Sequence, residues 1–261
     1  MAKFRHPFDD RFFDDNVFLT ADKCIGKRAT KTKEYIEKHN ARTCVLTFCK
    51  NVKSVLAKYG EVVELDYCNA GEDQHMIYGI GNILVTVPFV GSACAAATID
   101  ELVCLGVNKF LACGSAGLID DKFDDSKMFV ITDAIRDEGA SYHYAPPEVM
   151  AETSPRITKV IEEVFNENNI EYEKGRVWTT DAFYRETEKL IDVRKSQGAV
   201  AVEMECAAFC IASKFYNVEF GQFLYFSDSV KGLDWEKTEN WGGDAVKMLM
   251  TDLAYKIAKR L

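Results

Sequence analysis

Two acidic segments carry the side chains best suited to chemistry in this sequence of 261 residues. The segment VEMEC places Glu203 and Glu205 at the start of a stretch that would be apolar on every face of a helix, as buried helices are. A buried carboxylate is costly unless it is hydrogen-bonded or paired. Such a group could accept hydrogen bonds from two vicinal hydroxyls, or it could be held by the positive end of the helix. The residues alone favour the two interpretations equally.

The second acidic segment, LYFSDS, places Asp228 between two serines at the end of a strand rich in aromatic residues. Ligands of α/β proteins bind at the carboxyl ends of strands. A partly buried aspartate there can have a raised pKa and serve as a general acid. An aspartate that stabilises a turn or caps a helix is the alternative, for which SDS is well suited. Taken alone, this structural alternative is favoured.

Two glycine-containing segments, PFVGSACAAA and KFLACGSAGL, are predicted to turn from a strand into a helix. The second is predicted to turn through Gly114, Ser115 and Gly117. Such turns expose backbone N–H groups that suit an anion, although an ordinary tight connection is the favoured interpretation. Phe183 and Tyr184 follow another strand and could stack on a flat ring, but such a pair more often belongs to the core.

The elements that must position these residues alternate between strands and helices from about residue 42. Strands are predicted at 44–48, 61–67, 75–80, 82–89, 109–113, 128–135, 176–180, 199–202 and 219–227. Helices are predicted at 29–39, 50–59, 93–105, 155–168, 203–216 and 244–260. This alternation predicts an α/β fold, a single domain over 42–261 with a central mixed β-sheet flanked by helices. Residues 1–41 are predicted to be an N-terminal extension packed on that domain.

The composition narrows the classes of partner. A net charge of −9 argues against nucleic acid and anionic membrane surfaces as main partners. The absence of an apolar run of about 18 residues predicts no transmembrane span, and the N-terminus does not resemble a signal peptide. Nine cysteines, mostly in apolar runs, suit buried thiols in a reducing compartment, so a cytoplasmic location is expected. The four histidines are scattered, and no metal site is predicted.

Five segments together resemble the nucleoside phosphorylase superfamily, specifically the branch of uridine phosphorylase and hexameric purine nucleoside phosphorylase. They are GVNKFLACGSAGL, VITDAIRDEGASYHYAPPE, TTDAFY, AVAVEMECAA and FSDS, in the family's order and with family-like spacing. The resemblance runs from about residue 42 to the C-terminus. It implies cleavage of the N-glycosidic bond of nucleosides with inorganic phosphate as co-substrate and no other cofactor. It also implies a homo-oligomer whose dimers share active sites, such as a hexamer.

The resemblance also implies roles for individual residues. Asp228 matches the acid that protonates the departing purine base at N7, and Phe183 matches the aromatic residue packed against the base. The implied ribose contacts are Glu205, Met204, Glu203 and His6, the last reaching the ribose of a neighbouring subunit. Ser227 is assigned to the base together with Phe183. The implied phosphate contacts are Ser115, Gly114 and Lys53.

The sequence departs from the family's pattern where phosphate binds. The family's phosphate-loop arginine is Lys53, and a second arginine is Ala112. Lys50, Lys53 or Arg28 could compensate, although lysine lacks the bidentate geometry of arginine. Purine nucleosides are favoured over uridine because of Asp228 and because the uracil-reading residues are replaced by Thr187 and Lys189. A nucleosidase that uses water, a uridine phosphorylase and a non-catalytic nucleoside-binding protein are the alternatives.

Overall fold

The computed structural model describes residues 16–70, 73–230 and 234–261. The helices in these ranges are α1 (Thr30–His39), α2 (Val52–Leu56), α3 (Ser92–Leu105), α4 (Pro155–Glu167), α5 (Glu188–Ser196), α6 (Cys206–Phe215) and α7 (Asp244–Ala258). The strands are β1 (Thr43–Thr47), β2 (Val63–Ala70), β3 (Asp73–Ile80), β4 (Ile83–Thr86), β5 (Lys109–Leu118), β6 (Met128–Asp137), β7 (Ala151–Glu152), β8 (Tyr172–Thr180), β9 (Ala199–Glu203), β10 (Glu219–Ser229) and β11 (Glu236–Lys237). Single helical turns also occur at Asp22–Gly26, Ala57–Tyr59, Ala140–His143 and Phe183–Arg185.

The described strands form one mixed sheet in the order β11-β10-β6-β8-β9-β5-β1-β4-β3-β2, with β7 paired to β6. Strand β10 also pairs with β5, so that β10, β6, β8, β9 and β5 close into a ring. Strand β5 runs parallel to β1 and β10 and antiparallel to β9. The prediction of an α/β fold with a central mixed sheet flanked by helices is confirmed. Closure of part of the sheet into a ring was not predicted.

Strand β5 lies at the centre of the sheet and is covered on both faces. Phe110 and Ala112 belong to a core cluster shared with α3 and α6, whereas Leu111 and Cys113 belong to a cluster shared with α4 and α7. This alternation follows from the two-residue period of a strand. Because both faces are buried, residues 110–113 of the strand are all apolar, as in other sheets covered by helices on both sides.

Most predicted elements are confirmed with shifts of a few residues at their ends, but four predictions were wrong in part. The GSAG segment does not turn, since β5 continues through Gly114 to Leu118. Glu203 ends strand β9 and does not begin a helix. The predicted helix at 50–59 is shorter, with α2 followed by a separate helical turn. Strand β10 includes the SDS sequence and ends at Ser229.

Helix α5 was not predicted at all. None of its residues is buried, so its sequence lacks the apolar stripe by which an amphipathic helix is recognised. Before the first strand, Ile25, Ala29 and Ile36 pack into the same core cluster as α3 and α6. The boundary at residue 41 stays a prediction. No helix in the described ranges is long and apolar enough to cross a membrane.

Candidate functional site

The centre of the sheet contains a gap beside Gly114, Ser115 and Ala116. Strand β1 pairs with β5 only as far as Cys113, and β9 pairs with β5 only from Gly117 onward. On that side the three intervening residues have no strand partner among the described residues, although their other side is paired with β10. Backbone N–H groups at such a gap can bind an anion. The structure thus replaces the predicted turn with a strand whose edge is open for a short distance.

Ser115 is exposed, and it lines a narrow cavity next to this gap. The other lining residues are Thr47, Phe48, Cys49, Cys113, Gly114, Tyr225, Lys247 and Met250. Lys53, the other residue assigned to phosphate, does not line this cavity; its Nζ lies 2.8 Å from Oε1 of Glu64 in an exposed ion pair. The structure therefore brings Gly114 and Ser115 together and leaves Lys53 apart from them.

The two glutamates of VEMEC have different surroundings. Oε2 of Glu203 accepts hydrogen bonds from the N–H groups of Glu205 at 2.9 Å and Cys206 at 2.7 Å, the first turn of α6. Its Oε1 accepts a hydrogen bond from Oγ1 of Thr179 at 2.5 Å. Both oxygens are thus bonded within the protein, and the carboxylate lies at the positive end of a helix. This geometry favours a structural role for Glu203, and a ribose contact for it stays a prediction.

Glu205 is the carboxylate that retains capacity for a ligand. Its Oε1 accepts a hydrogen bond from the N–H of Gly91 at 2.6 Å, and the Met204 backbone also bonds to its carboxylate. A carboxylate can accept about four hydrogen bonds, which leaves acceptor sites for two hydroxyls. Oγ of Ser92 donates to the carbonyl of Met204 at 2.7 Å and holds the segment against the start of α3.

Burial dominates the electrostatics of this glutamate pair. Glu203 and Glu205 are only 5% and 7% exposed. Burial raises the pKa of both carboxyl groups, and the charge of Glu203 raises the pKa of Glu205 further. The N–H donor of Gly91 opposes this shift by stabilising the carboxylate. Both oxygens of Glu203 thus accept hydrogen bonds from the backbone or from Thr179, whereas the carboxylate of Glu205 can accept further hydrogen bonds.

Asp228 lies across Gly117 from the glutamates. Oγ of Ser227 donates to its Oδ1 at 2.6 Å, and Nε1 of Trp235 donates to its Oδ2 at 2.9 Å. A Cβ atom at Gly117 would lie 3.2 Å from Oδ2 of Asp228 and 3.2 Å from Cγ1 of Val202. Glycine at this position therefore lets the carboxylate approach β5 closely.

Glu186 is a candidate site residue that sequence reasoning missed. It directly follows the turn Phe183–Arg185, in which Phe183 is 49% exposed and its ring centroid lies 4.0 Å from that of Tyr184. Burial raises the pKa of Glu186 to about 7, with a further contribution from the negative charge of Asp228. The carboxyl groups of Glu186 and Asp228 therefore interact electrostatically. The sequence offered no signal beyond the position of Glu186 three residues after Phe183.

Strand register brings the separate pieces to one place. Gly117 of β5 pairs with Val202 of β9 and with Asp228 of β10, while Glu203 pairs with Thr179 near the end of β8. Apart from Lys53 and His6, the residues assigned to phosphate, ribose and base therefore lie in or just after the second halves of β5, β8, β9 and β10, at the edge of the sheet where α/β folds bind ligands. His6 lies outside the described residues. Within the described ranges, no group of three side chains suited to a metal ion is found.

Residues 42–254 match the model of the Phosphorylase superfamily. The chain belongs to this superfamily. A guanosine phosphorylase of Halorubrum lacusprofundi is 30% identical over 126 residues, covering 48% of this chain and 52% of that protein. A uridine phosphorylase of Thermococcus kodakarensis is 25% identical over 152 residues, covering 53% of this chain and 55% of that protein. The chain thus spans about half the length of these two curated relatives.

The superfamily member also shares its fold with a solved structure. The crystal structure of uridine phosphorylase from Vibrio fischeri superposes with a TM-score of 0.69 at 20% sequence identity. The likeness covers 84% of this chain and 90% of that one. At this identity it supports the fold, and it leaves the choice of nucleoside to the chemistry of the site.

Proposed function

We propose that this superfamily member is a nucleoside phosphorylase that cleaves the N-glycosidic bond of purine nucleosides to give a free base and ribose 1-phosphate. The observation that carries the proposal is the register at Gly117, two residues after Ser115. Gly117 pairs with Asp228 on one side and, on the other, with Val202, which precedes Glu205 by three residues. This arrangement offers an anion site, an acceptor for ribose hydroxyls and a proton donor for a leaving base. Inorganic phosphate is the co-substrate, and no other cofactor is part of the proposal.

The reaction follows from these positions. An oxygen of phosphate at Ser115 attacks C1′ of the ribose while the C1′–N9 bond breaks and its electron pair passes to the purine. Glu205 accepts hydrogen bonds from the 2′- and 3′-hydroxyls and orients the sugar. A proton held by the carboxyl pair of Glu186 and Asp228 passes through Asp228 to N7 of the departing base, so that the base leaves uncharged. General acid catalysis of this type typically contributes ~10²–10⁴ in rate.

The carboxyl pair of Glu186 and Asp228 supports a purine substrate. Burial and the charge of Asp228 raise the pKa of Glu186 to about 7, so Glu186 can hold a proton near neutral pH and pass it to Asp228 in each turnover. A leaving purine needs such a proton at N7. Thr187 and Lys189 occupy the positions whose side chains bind uracil in uridine phosphorylases. Their replacement here also favours a purine substrate.

The experiment that tests the function is base release from inosine, guanosine, adenosine and uridine with and without phosphate, followed by liquid chromatography. We expect release from the purine nucleosides only when phosphate is present, with ribose 1-phosphate as the second product. Faster phosphorolysis of uridine would contradict the purine assignment. Release at the same rate without phosphate would identify a nucleosidase, the second candidate.

The nucleosidase has a specific observation in its favour. Ala112 is fully buried in the core, and Lys53 is paired with Glu64 away from Ser115, so neither position supplies the positive charge that phosphate needs. A protein that binds nucleosides without cleaving them is the remaining candidate, and it predicts no base release under any condition.

We also propose a cytoplasmic homo-oligomer, such as a hexamer, whose dimers share active sites because His6 of one chain reaches the ribose bound to the next. All nine cysteines are free, as expected in a reducing compartment. Light scattering coupled to gel filtration would measure the subunit number. A monomer that is fully active would contradict shared sites.

A further inference from the structure

A lysine side chain lines the narrow cavity beside Ser115, and neither the sequence nor the family resemblance assigned it a role. Lys247 lines this cavity together with Ser115 and the loop residues Phe48 and Cys49. It is partly buried, and it forms no ion pair with any residue in the described ranges. A lysine that lines a cavity without an anionic partner is available to a ligand that carries negative charge.

The position of Lys247 is set by the packing of α7 across the sheet. Oγ1 of Thr251 lies 2.8 Å from Oγ1 of Thr47 at the end of β1, and both side chains are buried. Thr251 also donates to the carbonyl of Lys247 at 2.9 Å, one helical turn earlier. Residues four apart share one face of a helix. Lys247 therefore follows Thr251 along the face that meets the sheet, next to the loop after β1.

A second anchor keeps this helix in register. Asp252 receives hydrogen bonds from Oη of Tyr59 at 2.6 Å and forms ion pairs with Lys58 at 2.6 Å and Lys256 at 3.2 Å. Met250, which lies in α7 between Lys247 and Thr251, is 1% exposed. The middle of α7 is therefore tied to the segment after β1, and one turn before Thr251 the helix places Lys247 in the cavity that Ser115 lines.

The other candidate cations do not have this placement. Lys53 is occupied by Glu64 on the surface. Lys50 and Arg28 are exposed and do not line the cavity. Lys247 is thus the cationic side chain that the fold, within its described ranges, brings to Ser115.

We propose that Lys247 supplies the positive charge that binds phosphate at Ser115. The family's two phosphate-binding arginines are replaced by Ala112 and Lys53, and Lys247 provides the positive charge in their place. Lys247 lies in α7, near the other end of the sequence. The ammonium group and the Ser115 hydroxyl contact the phosphate oxygens, and the open edge of β5 contributes N–H donors. The inference rests on the proposed function, because it assigns the phosphate of that reaction to a particular cation.

Calorimetric titration of inorganic phosphate into the full chain tests this directly. We expect Lys247→Met to weaken phosphate binding about 10- to 100-fold, the usual effect of losing a charge-assisted hydrogen bond. Lys247→Arg should keep the affinity within about threefold because the charge remains. Lys53→Met, on the neighbouring helix α2, is the matched control, and it should bind phosphate like the wild type. Thermal unfolding of each variant verifies that the fold is intact.

Kinetics separate this inference from the proposed function. With a purine nucleoside as the substrate, Lys247→Met should raise the KM for phosphate and leave the KM for the nucleoside nearly unchanged. Wild-type phosphate affinity in Lys247→Met, or an equal loss in Lys53→Met, would overturn the role of Lys247 even if phosphorolysis is observed. Conversely, phosphate binding that depends on Lys247 without any base release would uphold the role of Lys247 and refute the proposed function.

Discussion

Asp228→Asn is the substitution that most directly tests the acid proposed for the leaving base. Asparagine has nearly the same shape, and its carbonyl oxygen can still accept the hydrogen bond from either Ser227 or Trp235. It cannot deliver a proton to the base. We therefore expect kcat for a purine nucleoside to fall by ~10²–10⁴, which corresponds to ~3–5 kcal/mol in the activation barrier.

The structure also indicates why Glu186 should not rescue this variant. The negative charge of Asp228 contributes to the raised pKa of Glu186. Without that charge the pKa of Glu186 falls below about 7, so Glu186 is more fully ionised at neutral pH and is a poorer acid. The fall in kcat should therefore be larger at pH 8 than at pH 6.

The stability of the fold should change little in Asp228→Asn. Trp235 is 52% exposed, so water can replace a lost acceptor, and we expect a change below about 1 kcal/mol in the free energy of unfolding. The assay is phosphorolysis of inosine under saturating phosphate, with the exposed Asp192→Asn on α5 as the matched control. A kcat within about threefold of the wild type would refute the role of Asp228 as the acid.

Three further predictions concern the same site. Gly117→Ala should lower kcat at least tenfold and cost ~1–3 kcal/mol in thermal unfolding, because the new Cβ would press on Asp228 and Val202; unchanged kinetics would show that the close approach is dispensable. Wild-type kcat should decline as pH rises through about 7, where Glu186 loses its proton, and Glu186→Gln should move or remove this limb of the pH profile; an identical profile would exclude Glu186. Glu205→Gln should lose ribose binding, measured as a higher KM, yet unfold at a higher temperature than the wild type at pH 8. Its folded pKa is raised, so the wild type loses stability as pH rises above the unfolded value near 4.5, and the variant does not; a lower unfolding temperature at pH 8 would contradict this sign.

The order of the secondary structure could be predicted from local patterns. The strands Thr43–Thr47 and Ala199–Glu203 are short, fully buried and mostly apolar. The helix Pro155–Glu167 has an apolar stripe, and Ser154 caps it directly before Pro155. Predictions failed where the pattern was misleading. Glycine and serine in GSAG indicate a turn, but pairing with β10 keeps that segment extended.

The chemistry of the site was only partly predictable for a related reason. The carboxylates of VEMEC and FSDS could be identified because acidic residues in apolar surroundings are rare. Which of the two glutamates has free acceptor sites could not, because it depends on Gly91 and Thr179, which lie far away in the sequence. The family resemblance assigned both glutamates to the ribose, and only their hydrogen bonds in the folded protein show that Glu205 is the one with free acceptor sites.

The sequence by itself therefore determined the fold class, the alternation of strands and helices, and the carboxylates that stand at strand ends, because these depend on local composition and periodicity. Tertiary structure alone decided the gap beside Ser115, the proximity of Glu186 to Asp228, and the arrival of Lys247 at the same cavity. These features join strands and helices that are distant in the chain. Their geometry is set by register and packing, which no single segment encodes.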